Sequence, residues 1–241
     1  MNPVNGALFN SKFPGIGAMR FISFIFFISI SVGQWTSFKL DDLSDYSKDS
    51  PYLYRTAGLT ATHHFTMAIN GENRITYGGS LLKGISANGI MPTLHSQIKV
   101  SWNLTLRGRM AAYSGKEGAV QMFGWGVTLK PGKKEEPSKW IINYDSGHLN
   151  SYDEVKVSSL QVMAVRELVW NKNPIFLGIG LNILKAVPYE SAGVNFQGKT
   201  EIQTNLISIG TAISFSGFKA IPQILVGPGF SMISLSLAGT F

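Results

Sequence analysis

Residues 230–241 read FSMISLSLAGTF, and from Ile233 onward large apolar residues alternate with small or polar ones. Ile233, Leu235, Leu237 and Phe241 share one face, while Ser234, Ser236, Ala238 and Thr240 share the other. A period of two is the signature of a strand whose two faces meet different surroundings. Here one face suits hydrocarbon and the other suits something polar or crowded.

Working outward, the same pattern recurs along most of the chain. Its clearest instance is Gln97 to Met110. Ile98, Val100, Trp102, Leu104, Leu106 and Met110 alternate in one phase with Lys99, Ser101, Asn103, Thr105, Arg107 and Arg109. Strands in globular proteins average about 5–6 residues, whereas a tilted barrel strand crossing hydrocarbon needs about 9–11. Further candidates are Gly58–Asn70, Arg74–Ser86, Val120–Leu129, Trp140–Asp145, Val155–Trp170, Ile175–Ile183, Lys199–Phe215 and Phe218–Val226. Turn chemistry separates them, as in Gly71-Glu72-Asn73, Asn171-Lys172-Asn173 and Gly227-Pro228-Gly229. Phase slips near Ser159-Leu160 and Leu206-Ile207 predict bulges. With the closing strand the count is about ten, eight and twelve being the alternatives, and an even number is what bacterial single-chain barrels have. Pro222 weakens its strand because it cannot donate to a ladder.

Alternation alone does not say which face is inside. In a soluble, exported lipid- or ligand-binding β-barrel the apolar face points inward; in a membrane barrel it points outward. The strands are long. The polar faces carry Gly, Ser, Thr and Ala rather than the Lys and Glu of a soluble surface. Aromatics gather near strand ends (Tyr113, Trp140, Trp170, Phe176, Phe215, Phe218, Phe230, Phe241) as interfacial girdles do. The expected fold is therefore all-β, an antiparallel up-and-down transmembrane β-barrel.

A closing strand that ends on an aromatic residue resembles that of bacterial outer-membrane β-barrels. Gly239 stands where that family carries an aromatic or large apolar residue. The resemblance implies a Gram-negative outer membrane, contact with its lipids, and a membrane-insertion signal in Ile233, Leu235, Leu237 and Phe241 read by the barrel-assembly machinery.

At the other end, Met19-Arg20 precedes the apolar run Phe21–Val32, with the small-x-small ending Ser31-Val32-Gly33. That is the composition of a cleaved signal peptide, covering residues 1–33, with residues 1–18 upstream of a true start at Met19. The run is shorter than the ~20 residues a spanning helix needs. Residues 34–56 then read as a periplasmic lead-in, a flexible extension or else a short helix or plug, and residues 57–241 as the barrel. The absence of Cys excludes disulfides and thiolate metal sites. The formal charge is +7, but only 15% of residues are charged and the cations are scattered, which argues against nucleic acid as a partner.

No enzyme is expected, and no cofactor or metal. If His63 and His64 lie in a strand they face opposite ways, and His95 and His148 fall in predicted turns. Gly-x-Ser-x-Gly, His-Glu-x-x-His and Walker-type patterns are absent. Gly124-x-Gly126 marks a crowded interior. The expected function is porin-like passive transport of small solutes, or a structural role. With both chain ends in the periplasm, Arg107, Arg109 and Glu201 would form one layer of lumen-facing charges and Lys99 with Glu167 a second.

Overall fold

The computed structural model describes residues 35, 36, 38, 46–65, 74–85, 89–115, 118–152, 154–170, 173–189, 199–215 and 217–240. The chain divides into two compact units, Met1–Gly33 and Gln34–Phe241. The first, with the expected signal peptide, lies outside the described residues, as does Phe241.

The second unit is a closed antiparallel ring. Its strands are β1 (Ile75–Gly84), β2 (Met91–Lys99), β3 (Leu104–Gly115), β4 (Gly118–Leu129), β5 (Trp140–Ser151), β6 (Val155–Trp170), β7 (Asn173–Pro188), β8 (Thr200–Thr211), β9 (Ile213–Phe215), β10 (Phe218–Gly227) and β11 (Phe230–Thr240). Apart from β8 and β9, each pairs with its neighbours in sequence, and β1 pairs with β11 to close the ring, Thr76 opposite Thr240 through Gly84 opposite Met232. β8 and β9 both pair with β10 in one register and form a single stave, so the staves number ten. The gap between them lies opposite Ile221 and Pro222, where the ring nitrogen of proline has no hydrogen to donate.

The apolar face is outside. Met110, Phe123 and Ile207 are 60%, 62% and 65% exposed on the outer wall, while Arg109 and Asp145 facing the lumen are 4% and 2% exposed. Along β7 the outward residues Ile175, Leu177, Ile179, Leu181 and Ile183 extend for about 26 Å of strand at ~3.3 Å per residue, or about 20 Å along the axis at a ~40° tilt.

Ten staves enclose more volume than wall side chains fill, since about eight are closed by side chains alone. The remainder is occupied by α1 (Tyr46–Thr62) and the residues after it. From Thr56 to Phe65 every residue is buried. At the mouth opposite the start of β1, Tyr54, Ala57, Leu59 and Ala61 pack with lumen-facing Leu82, Met91, Val120, Leu149, Val157, Leu184 and Met232. At the mouth where β1 begins and β11 ends, Phe65 packs with Ile141, Met163, Val165, Phe176 and Ile221. The chain thus enters the ring at the far mouth, where Trp35 bridges Ile90 and Tyr113 Oη donates to Thr36 O at 3.1 Å. It passes down the lumen before joining the wall at the near mouth.

This corrects the expected strand Gly58–Asn70: residues 58–62 are helical and 66–70 lie outside the described residues. Residues 46–56 of the expected lead-in are the first turns of that helix. From Thr56 onward the helix has no solvent face, so no amphipathic period marks that part. Its threonine hydroxyls are satisfied by its own carbonyls, Thr56 to Tyr52 O at 3.0 Å, Thr60 to Thr56 O at 2.7 Å and Thr62 to Gly58 O at 3.0 Å.

The expected strand Gln97–Met110 is two strands joined by a hairpin at Val100–Asn103, where the Val100 and Ser101 amides donate to Leu104 O at 2.9 and 3.1 Å. Leu94 faces Met110 and Ile98 faces Leu106, so even-numbered residues stay outside on both strands and the alternation runs through the turn unbroken. This error and the lost strand at Gly58 offset each other, which is why the expected ten stands. The predicted bulges are absent, because β6 and β8 pair in continuous register. Both apparent slips mark places where apolar residues turn from the wall to the helix: Val155 and Val157 face the lumen before Leu160 faces out, and Leu206 faces in beside Ile207. Phe176 and Phe230 also face the lumen rather than an interface.

A Cβ at Gly147 would overlap the Ala61 carbonyl, and one at Gly58 would stand 2.8 Å from Leu184 Cδ2. Gly147→Ala is therefore expected to displace the helix and lower the temperature at which the unheated gel band converts to the boiled one. Gly108→Ala, whose Cβ meets only Ser96 Oγ at 3.1 Å, is expected to leave that temperature nearly unchanged.

Candidate functional site

The polar residues of the lumen converge midway down, beneath the last turn of α1. In β3, Arg107 lies directly across from Gly126 of β4, which lies across from Asp145 of β5. With no side chain at Gly126, the guanidinium reaches over the intervening strand to the carboxylate. Arg107 Nη2 donates to Asp145 Oδ2, and Arg109 Nη1 donates to Oδ1 at 2.9 Å. The next row is Arg109, Gly124 and Gly147, and a Cβ at Gly124 would stand 2.5 Å from Arg109 Nε and 2.9 Å from Ala61 O. The expected crowding at Gly124-x-Gly126 is this passage of two arginine side chains across strand β4.

Arg109 also ties wall to plug. Its Nε donates to Ala61 O at 2.5 Å, and Nη2 donates to Trp125 O at 3.3 Å and Ser146 O at 3.0 Å. The Ala61 carbonyl lies in the last turn of α1, where intrahelical donors run out, so a cation there meets the negative end of the helix dipole. A second tie is polar and neutral. Thr62 Oγ1 lies 3.1 Å from Gln161 Oε1, and Asn182 Nδ2 donates to Thr62 Oγ1 at 3.0 Å and to Ser159 Oγ at 2.8 Å.

A third group surrounds the residues that follow the helix. His63 and His64 are not in a strand, and both meet His95, with ring centroids 6.2 and 4.8 Å away. His95 is in β2 rather than a turn and faces the lumen, its Nε2 2.8 Å from Thr93 Oγ1. Gln97 Nε2 lies 3.2 Å from His64 Nδ1. Among the described residues no grouping of His, Asp and Glu has metal-holding geometry. What the arrangement supplies is a polar latch that ties the plug to strands β2, β3, β5, β6 and β7.

Of the charges expected in the lumen, Arg107 and Arg109 are there and share Asp145, a partner that sequence reasoning passed over. Asp145 alternates with Tyr144 and so lay on the polar face of its strand all along. Lys99 and Glu167 are half-buried on the lumen phase at the near mouth. Glu201 is not in the lumen. It faces outward on β8, bridging Lys185 at 3.4 Å and Lys199 at 3.0 Å with all three side chains exposed. His148, expected in a turn, is on the outer face of β5, its Nδ1 2.9 Å from Ser158 Oγ. Ile233 and Leu235 of the expected insertion signal are exposed on the outer face of β11.

No family model matches the chain, and no curated protein does. Among solved structures it is similar to the N-terminal β-barrel domain of Pseudomonas aeruginosa OprF, with 10% identity, 71% of this chain and 100% of that one covered, and a TM-score of 0.31. It is likewise similar to the translocator domain of the autotransporter NalP from Neisseria meningitidis, with 9% identity, coverages of 77% and 92%, and a TM-score of 0.39. A third is Ail, the attachment invasion locus protein of Yersinia pestis, with 11% identity, coverages of 71% and 99%, and a TM-score of 0.26.

Removing one member of a buried ion group leaves its partner charged and unpaired, at a cost of about 3–5 kcal/mol. Asp145→Asn is expected to lose stability in that range by denaturant unfolding in detergent. Combined with Arg109→Gln, the losses are expected to depart from additivity by at least about 0.5 kcal/mol. Glu201→Gln, by contrast, is expected to leave the unfolding midpoint where it is.

Proposed function

We propose that the chain is a small bacterial outer-membrane β-barrel whose lumen is closed by its own N-terminal helix, and that its role is structural rather than that of an open pore. One observation carries this reading: the outer wall is apolar around the ring while the lumen is packed from mouth to mouth by residues 54–65. An apolar exterior excludes water from the wall, and a filled interior leaves no continuous aqueous path. The helix is held by apolar packing from Tyr52 to Ala61 and by Arg109 and Asn182 at its lower end. Burial of each large plug side chain, such as Leu59 or Phe65, contributes roughly 1.5–3 kcal/mol. Thermal fluctuation alone would rarely vacate such a lumen.

In the orientation that puts the end of β11 in the periplasm, the near mouth is periplasmic. Trp35, Thr36 and Phe38 then lie at the outer mouth. Lys130–Lys139, the charged connection between β4 and β5, is periplasmic in the same orientation.

The test uses the full chain in detergent. Unheated and boiled samples are expected to run at different positions in SDS gels, as a closed barrel resists SDS until heated. Planar-bilayer recordings are expected to show no regular conductance steps. Steps of one reproducible size would favour the porin-like reading. Identical gel mobility with solubility in plain buffer would favour a soluble exported β-barrel.

A further inference from the structure

The wall is taller on one side than the other. Strands β6 and β7 have 16 residues each, against 10 in β10. The outward apolar run stops before the far end of the tall side, between Tyr144 and Ser146 on β5, Leu160 and Ser158 on β6, Ile183 and Lys185 on β7, and Ile207 and Asn205 on β8. At this edge the outer surface has a groove of about 290 Å³. His148, Ser158, Lys185 and Glu201 line it above, and Ser146, Leu160 and Ile183 line it below.

We infer that this groove binds an anionic, phosphate-headed lipid of the surrounding bilayer, a conclusion that rests on the membrane-barrel reading. The groove is amphipathic along the barrel axis, and its apolar half continues down the wall into Val162 and Leu181, which face each other across β6 and β7. An acyl chain fits that half. The polar half presents a hydroxyl and an imidazole whose Nδ1 lies 2.9 Å from Ser158 Oγ. Among the described residues at this end of β5–β8 the cations are Lys156, Lys185 and Lys199, and the anions are Glu154 and Glu201. The excess is one positive charge. Lys185 and Glu201 line the groove, and Glu201 pairs with both Lys185 and Lys199. Lys156 lies one outward position along from Ser158, which is directly across from Lys185. A phosphate oxygen accepts from ammonium and hydroxyl donors alike. The position at the edge of the apolar band is the depth at which a lipid phosphate lies, which a water-soluble anion would have no reason to share.

The experiment is native mass spectrometry of the full chain released from detergent, after incubation with phosphatidylglycerol, with phosphatidylcholine of the same acyl chains, or with inorganic phosphate. Phosphatidylglycerol is expected to be retained preferentially. Each lysine near a lipid surface is worth about fivefold in affinity, so Lys156→Gln with Lys185→Gln should remove most of that preference. Lys83→Gln, a cation on the outer face of β1, should not. Equal retention of the two lipids, or a preference untouched by the double variant, overturns the proposal. So does displacement of the lipid by millimolar phosphate, which would make the groove a solute site. The heat-dependent gel shift of the same samples is read in parallel, so a failed barrel reading is told apart from a failed lipid site.

Discussion

A closed ring of ten strands has an interior that must be filled, because its own inward side chains fall short of the axis. Everything distinctive here follows from how that volume is occupied. A helix about 10–12 Å across with its side chains is as wide as the space allows, so both partners are built small where they meet. The helix offers Ala57, Gly58 and Ala61, and the wall offers Gly147 and Gly124. Elsewhere larger residues fill the space: Leu149 and Met232 above, and Ile141, Met163 and Phe176 below.

The polar layer between those two apolar ones is needed for a different reason. The helix ends midway down, and its last carbonyls would face a medium that offers them no water. Arg109 answers the Ala61 carbonyl, but a guanidinium brought into that interior requires its own compensation. Asp145 provides it and is shared with Arg107, and the glycines of β4 let both long side chains lie across the strand. Helix termination, arginine placement and glycine placement are thus one problem with one solution.

The sequence made the ring legible and the plug nearly illegible, for reasons that can be located. Alternation reports which face of a strand a residue occupies, and it did so correctly for Arg107 and Arg109. It also continued through Val100–Asn103, because the hairpin there keeps parity and contains neither Gly nor Pro. Gly58–Thr62 looked like strand because Thr has strand preference, and a helix segment enclosed on all sides needs no polar stripe to betray it. The apparent slips at Ser159-Leu160 and Leu206-Ile207 were the one trace of the plug. They were apolar residues on the wrong face for lipid, and the right face for a buried partner. Glu201 was misplaced because a polar residue on a barrel strand need not face the lumen once the strand rises above hydrocarbon.

The seam between β1 and β11 joins residues far apart in the chain, Ser80 and Ser236 being 156 positions apart and hydrogen-bonded at 2.5 Å. Those two strands close a loop around a segment of the same polypeptide, much as a drawstring closes on a cord already inside the bag. The order of assembly is therefore constrained. A finished ring could admit residues 46–65 only by drawing their leading end through the bore, whereas an unsealed sheet can curl around a helix already lying on it. Once the last ladder forms, withdrawing the helix requires either reopening that ladder or pulling bulky Tyr54 and Leu59 past packed walls. The permanence of the plug is thus kinetic as much as energetic, set by the moment at which the first and last strands meet.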